Sequence, residues 1–220
     1  MAAKDMHNPA EGYVQTPHPV QGLPRVVRHI TGHDAQGKSV FLATDIGDHH
    51  RELVNKSAIA NIIYSTHKHP VELSGDVDLK FAQENEPGIT SKGGTVCRMI
   101  DFAPGGVSPM HRVNSLDYVV VIEGVFRMIL DSGEERIMQR GDTAIQRSTA
   151  HRWINVTGNG LLPGRILFVL HDVKDFHIAS GKVEGELGVL GKDYVGLPGH
   201  EAPAANKEPA RGDDKFDSEF

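Results

Sequence analysis

The sequence predicts an all-β domain, a barrel or sandwich of short strands. Two observations carry that fold class. From Gly94 onward, β-prone runs follow one another at near-regular spacing: TVCRMIDF, DYVVVI, VFRMIL, RIMQ, TAIQ, HRWINV and RILFVLHDV. Turn-forming clusters separate them, namely Pro104-Gly105-Gly106, Glu123-Gly124, Asp131-Ser132-Gly133, Arg140-Gly141-Asp142 and Thr157-Gly158-Asn159-Gly160. Many short strands with Gly, Asn and Asp turns, and no long helical period before residue 170, read as a closed or two-layered β architecture. A third observation locates the site. Each of two glycine-led blocks, 105–124 and 141–155, carries one histidine inside an apolar β-rich frame.

Residues 1–24 contain Pro9, Pro17, Pro19 and Pro24 with little hydrophobic periodicity, which reads as an extended arm. Residues 25–180 are read as the barrel with an N-terminal hairpin. Its opening runs, Arg25 to Ile30 and Lys38 to Ala43, are joined by Thr31-Gly32-His33-Asp34-Ala35-Gln36-Gly37, a glycine turn. SAIANIIYS, from Ser57 to Ser65, reads as a further strand. Gly75 to Glu86 carries strand-type alternation at Val77, Leu79 and Phe81 before Pro87-Gly88 breaks it. Asp-Ser-Gly between VFRMIL and EERIMQ is a hairpin turn. Residues 181–220 form a short or irregular C-terminal extension, partly mobile, with room for one short helix between Asp175 and Leu190. Its last part is rich in Pro, Ala and charge.

A chain of 220 residues suits one domain with additions. No apolar run approaches the ~18 residues of a membrane span, so a membrane is not an expected partner. The start, MAAKDMHNPAEGY, lacks a signal-type apolar core, and Cys97 is the sole cysteine. Both features point to a reducing, cytoplasmic setting. A net charge of −6 with no Lys/Arg cluster excludes nucleic acid as an expected partner. The expected partner is a small molecule.

Strand alternation defines the candidate site. With His111 pointing inward, Val113 does so too, and Arg112 points out. Asp117, Val119 and Val121 share one strand face, and His151, Trp153 and Asn155 share another. The candidate catalytic residues are His111, Asp117 and His151, with Val113, Val119, Val121, Trp153 and Asn155 against the substrate. Two imidazoles and a carboxylate can hold a divalent metal with open positions, which makes the same three residues the candidate metal ligands. Without metal they can move protons, because burial and mutual charge shift their pKa values toward neutrality. The expected cofactor is therefore a divalent ion (Fe, Zn, Ni or Mn) or none. The alternative for Asp117 is an ion pair with Arg112 or Arg147. His67-Lys68-His69, followed by Pro70, reads as a surface loop, and His49-His50 as incidental.

Ser108-Pro109-Met110-His111-Arg112 with Ser115-Leu116-Asp117-Tyr118, and Gln146-Arg147 through His151-Arg152-Trp153-Ile154-Asn155, carry a family resemblance. Over roughly residues 25–177 the chain resembles the cupins, and more narrowly the small single-domain cupins of fungi and bacteria. The resemblance implies a jelly-roll barrel (a double-stranded β-helix). Against the metal-binding pattern of that family, His111 matches the first histidine and Val113 stands at the second. Asp117 replaces the usual glutamate, and the Pro and Gly of the second block are replaced within Arg147-Ser148-Thr149. Three of four ligand types survive.

The resemblance further implies an enzyme of specialised metabolism acting on an aromatic or polyketide-like molecule. With the ligand set incomplete, non-redox chemistry of the lyase or isomerase type is expected: dehydration, isomerisation, cyclisation or decarboxylation. His151 is then the base or acid, and Asp117 orients or charges His111. The alternatives are an iron oxygenase using the same three residues, and a non-catalytic binding cupin. Barrels of this kind commonly pair through sheet faces, so a homodimer with the 25–43 hairpin crossing over is expected.

Overall fold

The computed structural model describes residues 20–54 and 56–198. The expected arm up to residue 19 and the tail from 199 to 220 lie outside the described residues.

Two antiparallel sheets enclose one core. Strands are β1 (Arg28–His33), β2 (Ser39–Asp45), β3 (His49–Leu53), β4 (Ala58–Ser65), β5 (Thr95–Phe102), β6 (Ser115–Glu123), β7 (Val125–Leu130), β8 (Glu135–Gln139), β9 (Thr143–Arg147), β10 (His151–Asn155) and β11 (Gly164–Asp172). The larger sheet has the order β3-β4-β5-β11-β6-β9, and the smaller one β10-β7-β8. Alternation dictates what each strand buries. On β6, Ser115, Asp117, Val119 and Val121 turn inward, and on β10 His151, Trp153 and Asn155 do. Phe102 of the larger sheet meets Phe126 of the smaller at 5.2 Å between ring centroids, and Phe168 meets Trp153 at 6.1 Å. These edge-to-face contacts knit the two sheets, and each fully buried aromatic contributes roughly 2–3 kcal/mol.

The seven β-prone runs from residue 95 to 172 all form strands, and the hairpin forms as β1 and β2 with Asp34–Lys38 at its turn. Its register places Arg28 opposite Asp45, and the Arg28 guanidinium pairs with both Asp45 and Asp48. One reading needs correction. The alternation at Val77, Leu79 and Phe81 belongs to a helix, α1 (Val77–Glu84). Leu79 and Ala82 lie on its inner side at helical spacing, Asp78 accepts a 2.6 Å bond from the Tyr64 hydroxyl, and Phe81 stacks on His67. Three alternating residues are too few to separate a strand from one face of a helix. The polar stretch GDHHRE supplies an edge strand, β3, because backbone pairing to β4 does not depend on side-chain polarity.

After β11 the chain makes a small hairpin, β12 (His177–Ile178) with β13 (Gly181–Lys182), and a 3₁₀ turn, Gly188–Tyr194. Leu190 and Tyr194 of that turn are buried against the core. The turn is tied down where Val54 N–H donates to the Asp193 carboxylate at 2.8 Å and Arg51 donates to the Asp193 carbonyl at 2.6 Å. Among the described residues, no helix is long and apolar enough to cross a membrane.

Candidate active site

Between the two sheets lies a pocket. It is walled by apolar side chains, among them Ile100, Phe102, Val113, Phe168, Leu170 and Leu190, and it admits a few polar groups: Arg98, His111, Asp117, His151 and Tyr194. Such a lining suits one small, mostly apolar ligand held by a handful of polar contacts.

His151 opens β10, and its ring is on the inward face with Trp153. His111 belongs to an irregular segment that runs antiparallel to β10, bridged at Val107 with Ile154 and at His111 with His151. The SPMH residues set this segment. Trp153 N–H donates to the Ser108 hydroxyl, Ser108 N–H donates to the Trp153 carbonyl, and Asn155 N–H donates to the Gly106 carbonyl, each at 2.9 Å. Gly106 is required there, since a Cβ would stand 2.9 Å from the Ser57 carbonyl oxygen.

The two imidazoles lie with ring centroids 4.4 Å apart. His111 Nδ1–H donates to the Pro109 carbonyl at 2.9 Å, and His151 Nδ1–H donates to the Thr149 carbonyl at 2.8 Å. A carbonyl can only accept, so each Nδ1 carries the proton and each Nε2 is left with a lone pair. Burial pushes His151 down to about 3, and His111 nearby pushes the same way. Burial also lowers His111, against the bond to Pro109. Both rings are neutral at pH 7.

Asp117 lines the same pocket, and its carboxylate accepts a 2.5 Å bond from the Ser115 hydroxyl. Burial raises it to about 6, opposed by that bond and by the charge of Arg98. The expectation that Asp117 orients His111 is corrected, because backbone carbonyls orient both rings. The alternative ion pair is corrected too: Arg112 pairs with Asp131, and Asp117 bonds Ser115. As for a metal, the imidazole pair offers two nitrogen donors. Among the described residues, however, no group of three or more His, Cys, Asp and Glu side chains is gathered to hold an ion. The residues present do not complete a metal-holding set.

Of the expected substrate contacts, Val113 and Trp153 line the pocket. Val119 and Val121 lie fully buried in the core without lining it. Asn155 is committed to backbone: its amide donates to the carbonyls of Ala103 and Leu162 at 2.9 Å and accepts from Thr157 N–H. It pins two loops. Arg98, Leu190 and Tyr194 line the pocket without having been expected there. The signal for Arg98 was present in TVCRMIDF, where strand parity puts it on the face of Ile100 and Phe102.

No protein-family model matches the chain. Among curated relatives, the cupin-domain-containing oxidoreductase fogC of Aspergillus ruber is 66% identical over 179 residues, covering 81% of this chain and 88% of that protein. The cupin-domain-containing oxidoreductase virC of Hypocrea virens is 63% identical over 163 residues, covering 74% and 84%. Phomopsin biosynthesis cluster protein C' of Diaporthe leptostromiformis is 39% identical over 176 residues, covering 79% and 92%. At such identity across most of both chains, and with a two-sheet β fold around an inward-facing histidine pair, the chain belongs to the cupin superfamily.

Proposed function

We infer that the chain is an enzyme acting on a small, largely apolar molecule of specialised metabolism, aromatic or polyketide-like, through non-redox acid–base chemistry. One observation carries this reading: two neutral imidazoles, each locked by Nδ1 to a backbone carbonyl, present Nε2 lone pairs within one apolar pocket. A fixed tautomer with a free lone pair is the form a general base needs. His151 accepts a proton at Nε2, and the Thr149 carbonyl steadies the imidazolium through Nδ1–H. Asp117, raised to about 6 by burial, exchanges a proton close to neutrality and serves as the second proton-transfer group of the pocket. The apolar walls exclude water, which favours dehydration, isomerisation, cyclisation or decarboxylation over hydrolysis. A relative named for a biosynthesis cluster supports the place in specialised metabolism.

The names of fogC and virC favour a second reading, that of an oxidoreductase. For a metal, this reading has the Nε2 atoms of His111 and His151 as its two nitrogen donors, and the described residues gather no third ligand beside them. Elemental analysis of the purified, tag-free protein beside His111→Ala separates the two. Near-stoichiometric iron that vanishes in the variant favours the oxidoreductase. Turnover by metal-stripped protein without oxygen supports acid–base chemistry.

A further inference from the structure

Three arginines are buried among the described residues: Arg28, Arg98 and Arg165. Two have carboxylate partners. Arg28 pairs with Asp45 and Asp48, and Arg165 grips Asp101 with two bonds of 2.5 and 2.7 Å. Arg98, 2% exposed and lining the pocket, has none. Its guanidinium donates only to neutral oxygens: the Tyr194 hydroxyl at 2.9 Å and the carbonyls of Gly88 and Ile89 at 2.8 and 2.5 Å. The Nε–H is buried with no partner. Arginine keeps its charge at any physiological pH, and a cation withdrawn from water without a carboxylate bonded to it is disfavoured; the Asp117 charge acts on Arg98 through the pocket, but no ion pair joins the two. The Tyr194 ring, 5.8 Å from the guanidinium carbon, offsets little of this.

Two further polar groups of the same pocket lack partners. Trp153 Nε1–H, which can only donate, and the Ser57 hydroxyl are both buried without a hydrogen bond. Charge and donors therefore accumulate in a cavity whose other walls are hydrocarbon. Asp117 shares the cavity, but its nearest donor is the Ser115 hydroxyl. The complement to this arrangement is an apolar body bearing one anionic oxygen and a second acceptor oxygen.

We propose, taking the pocket as the substrate site inferred above, that it selects organic carboxylates: the Arg98 guanidinium receives the carboxylate and the Trp153 indole N–H receives a further oxygen of the ligand. Arg98 is then a positioning residue, holding the acid end so that the rest of the molecule reaches the histidine pair. The two neutral imidazoles add no competing cation.

Calorimetric titration of the full chain with 2-naphthoate and with its neutral counterpart, 2-naphthamide, tests this. Neither probe needs to react, so the readout is independent of whether His151 acts as a base. The carboxylate is expected to bind at least about tenfold more tightly than the amide, as one charge-assisted hydrogen bond supplies. Arg98→Gln is expected to abolish that preference, and Arg98→Lys to keep part of it. A merely structural arginine would leave the acid-to-amide ratio unmoved. Equal affinity for both probes, binding of neither, or a preference retained in Arg98→Gln overturns the proposal. The wild-type comparison stands even if the glutamine variant fails to fold.

Discussion

His111 and His151 are the two halves of one antiparallel bridge. Each backbone N–H donates to the other's carbonyl, at 3.0 and 2.9 Å, and each ring donates through Nδ1 to the carbonyl two residues before it. Backbone geometry that pairs the strands therefore also fixes both tautomers. The rings are oriented by groups that no side-chain substitution removes, and the pair behaves as a unit.

His151→Gln is expected to lower kcat by about 10²–10⁴-fold, the usual loss on removing a general base. His111→Gln should lose a comparable amount, and the double variant little more than either single one. Steady-state kinetics beside thermal melts check this. A melt that collapses in the single variants would mark the pair as structural instead.

Asp117 ties stability to pH with a definite sign. Its folded pKa of about 6 lies above the ordinary 3.8, so the native state binds more protons than the unfolded chain between those values. The stability it contributes is present below about pH 4 and is lost as pH rises through about 6. His151 runs the other way: lowered to about 3 from 6.5, it contributes above about 6.5 and loses that contribution as pH falls toward 3. The overlapping trends blur in the wild-type profile, and Asp117→Asn isolates one of them. That variant should be more stable than wild type near pH 8 by on the order of 2 kcal/mol, with the gain fading by about pH 4. Activity should fall further in Asp117→Asn than in Asp117→Glu, which keeps a carboxylate. Melts across pH that show a constant difference would remove the titration at Asp117.

Arg165 and Asp101 face each other across β11 and β5, buried, with the Pro24 carbonyl accepting a third bond from Arg165 at 2.8 Å. Removing one partner strands the other charge in the core. Asp101→Ala is expected to cost about 3–5 kcal/mol in urea denaturation. Glu134→Ala, at an exposed pair with Arg136, should stay within about 0.5 kcal/mol of wild type. Equal effects would mean that the Asp101 site is wetter than its burial implies.

Much of this protein is legible in the chain itself. The strands from Thr95 to Asp172, the hairpin over residues 28–45 and the inward placement of His111, Asp117, His151 and Trp153 follow from turn residues and two-residue periodicity. Those are local properties, since the side-chain direction in a strand alternates by covalent geometry. The limits are equally specific. Val119 and Val121 have the parity of Asp117, yet depth along the barrel takes them out of the pocket lining. Asn155 shares a face with His151, but it is spent on the backbone of two distant loops.

Tertiary structure alone decided the rest. Strand parity groups Arg98 with Ile100 and Phe102, but only the pairing of β5 with β4 and β11 shows that this face looks inward. Nothing in the glycine-rich segment 185–196 signals a roof, but Leu190 and Tyr194 close over the pocket, held by Val54 and Arg51 from across the chain. The orientation of the imidazoles depends on carbonyls at Pro109 and Thr149, which the bridge between two remote segments aligns. Periodicity states which side chains share a face. Which face is buried, and which charge goes without a partner there, depends on contacts between residues far apart in sequence.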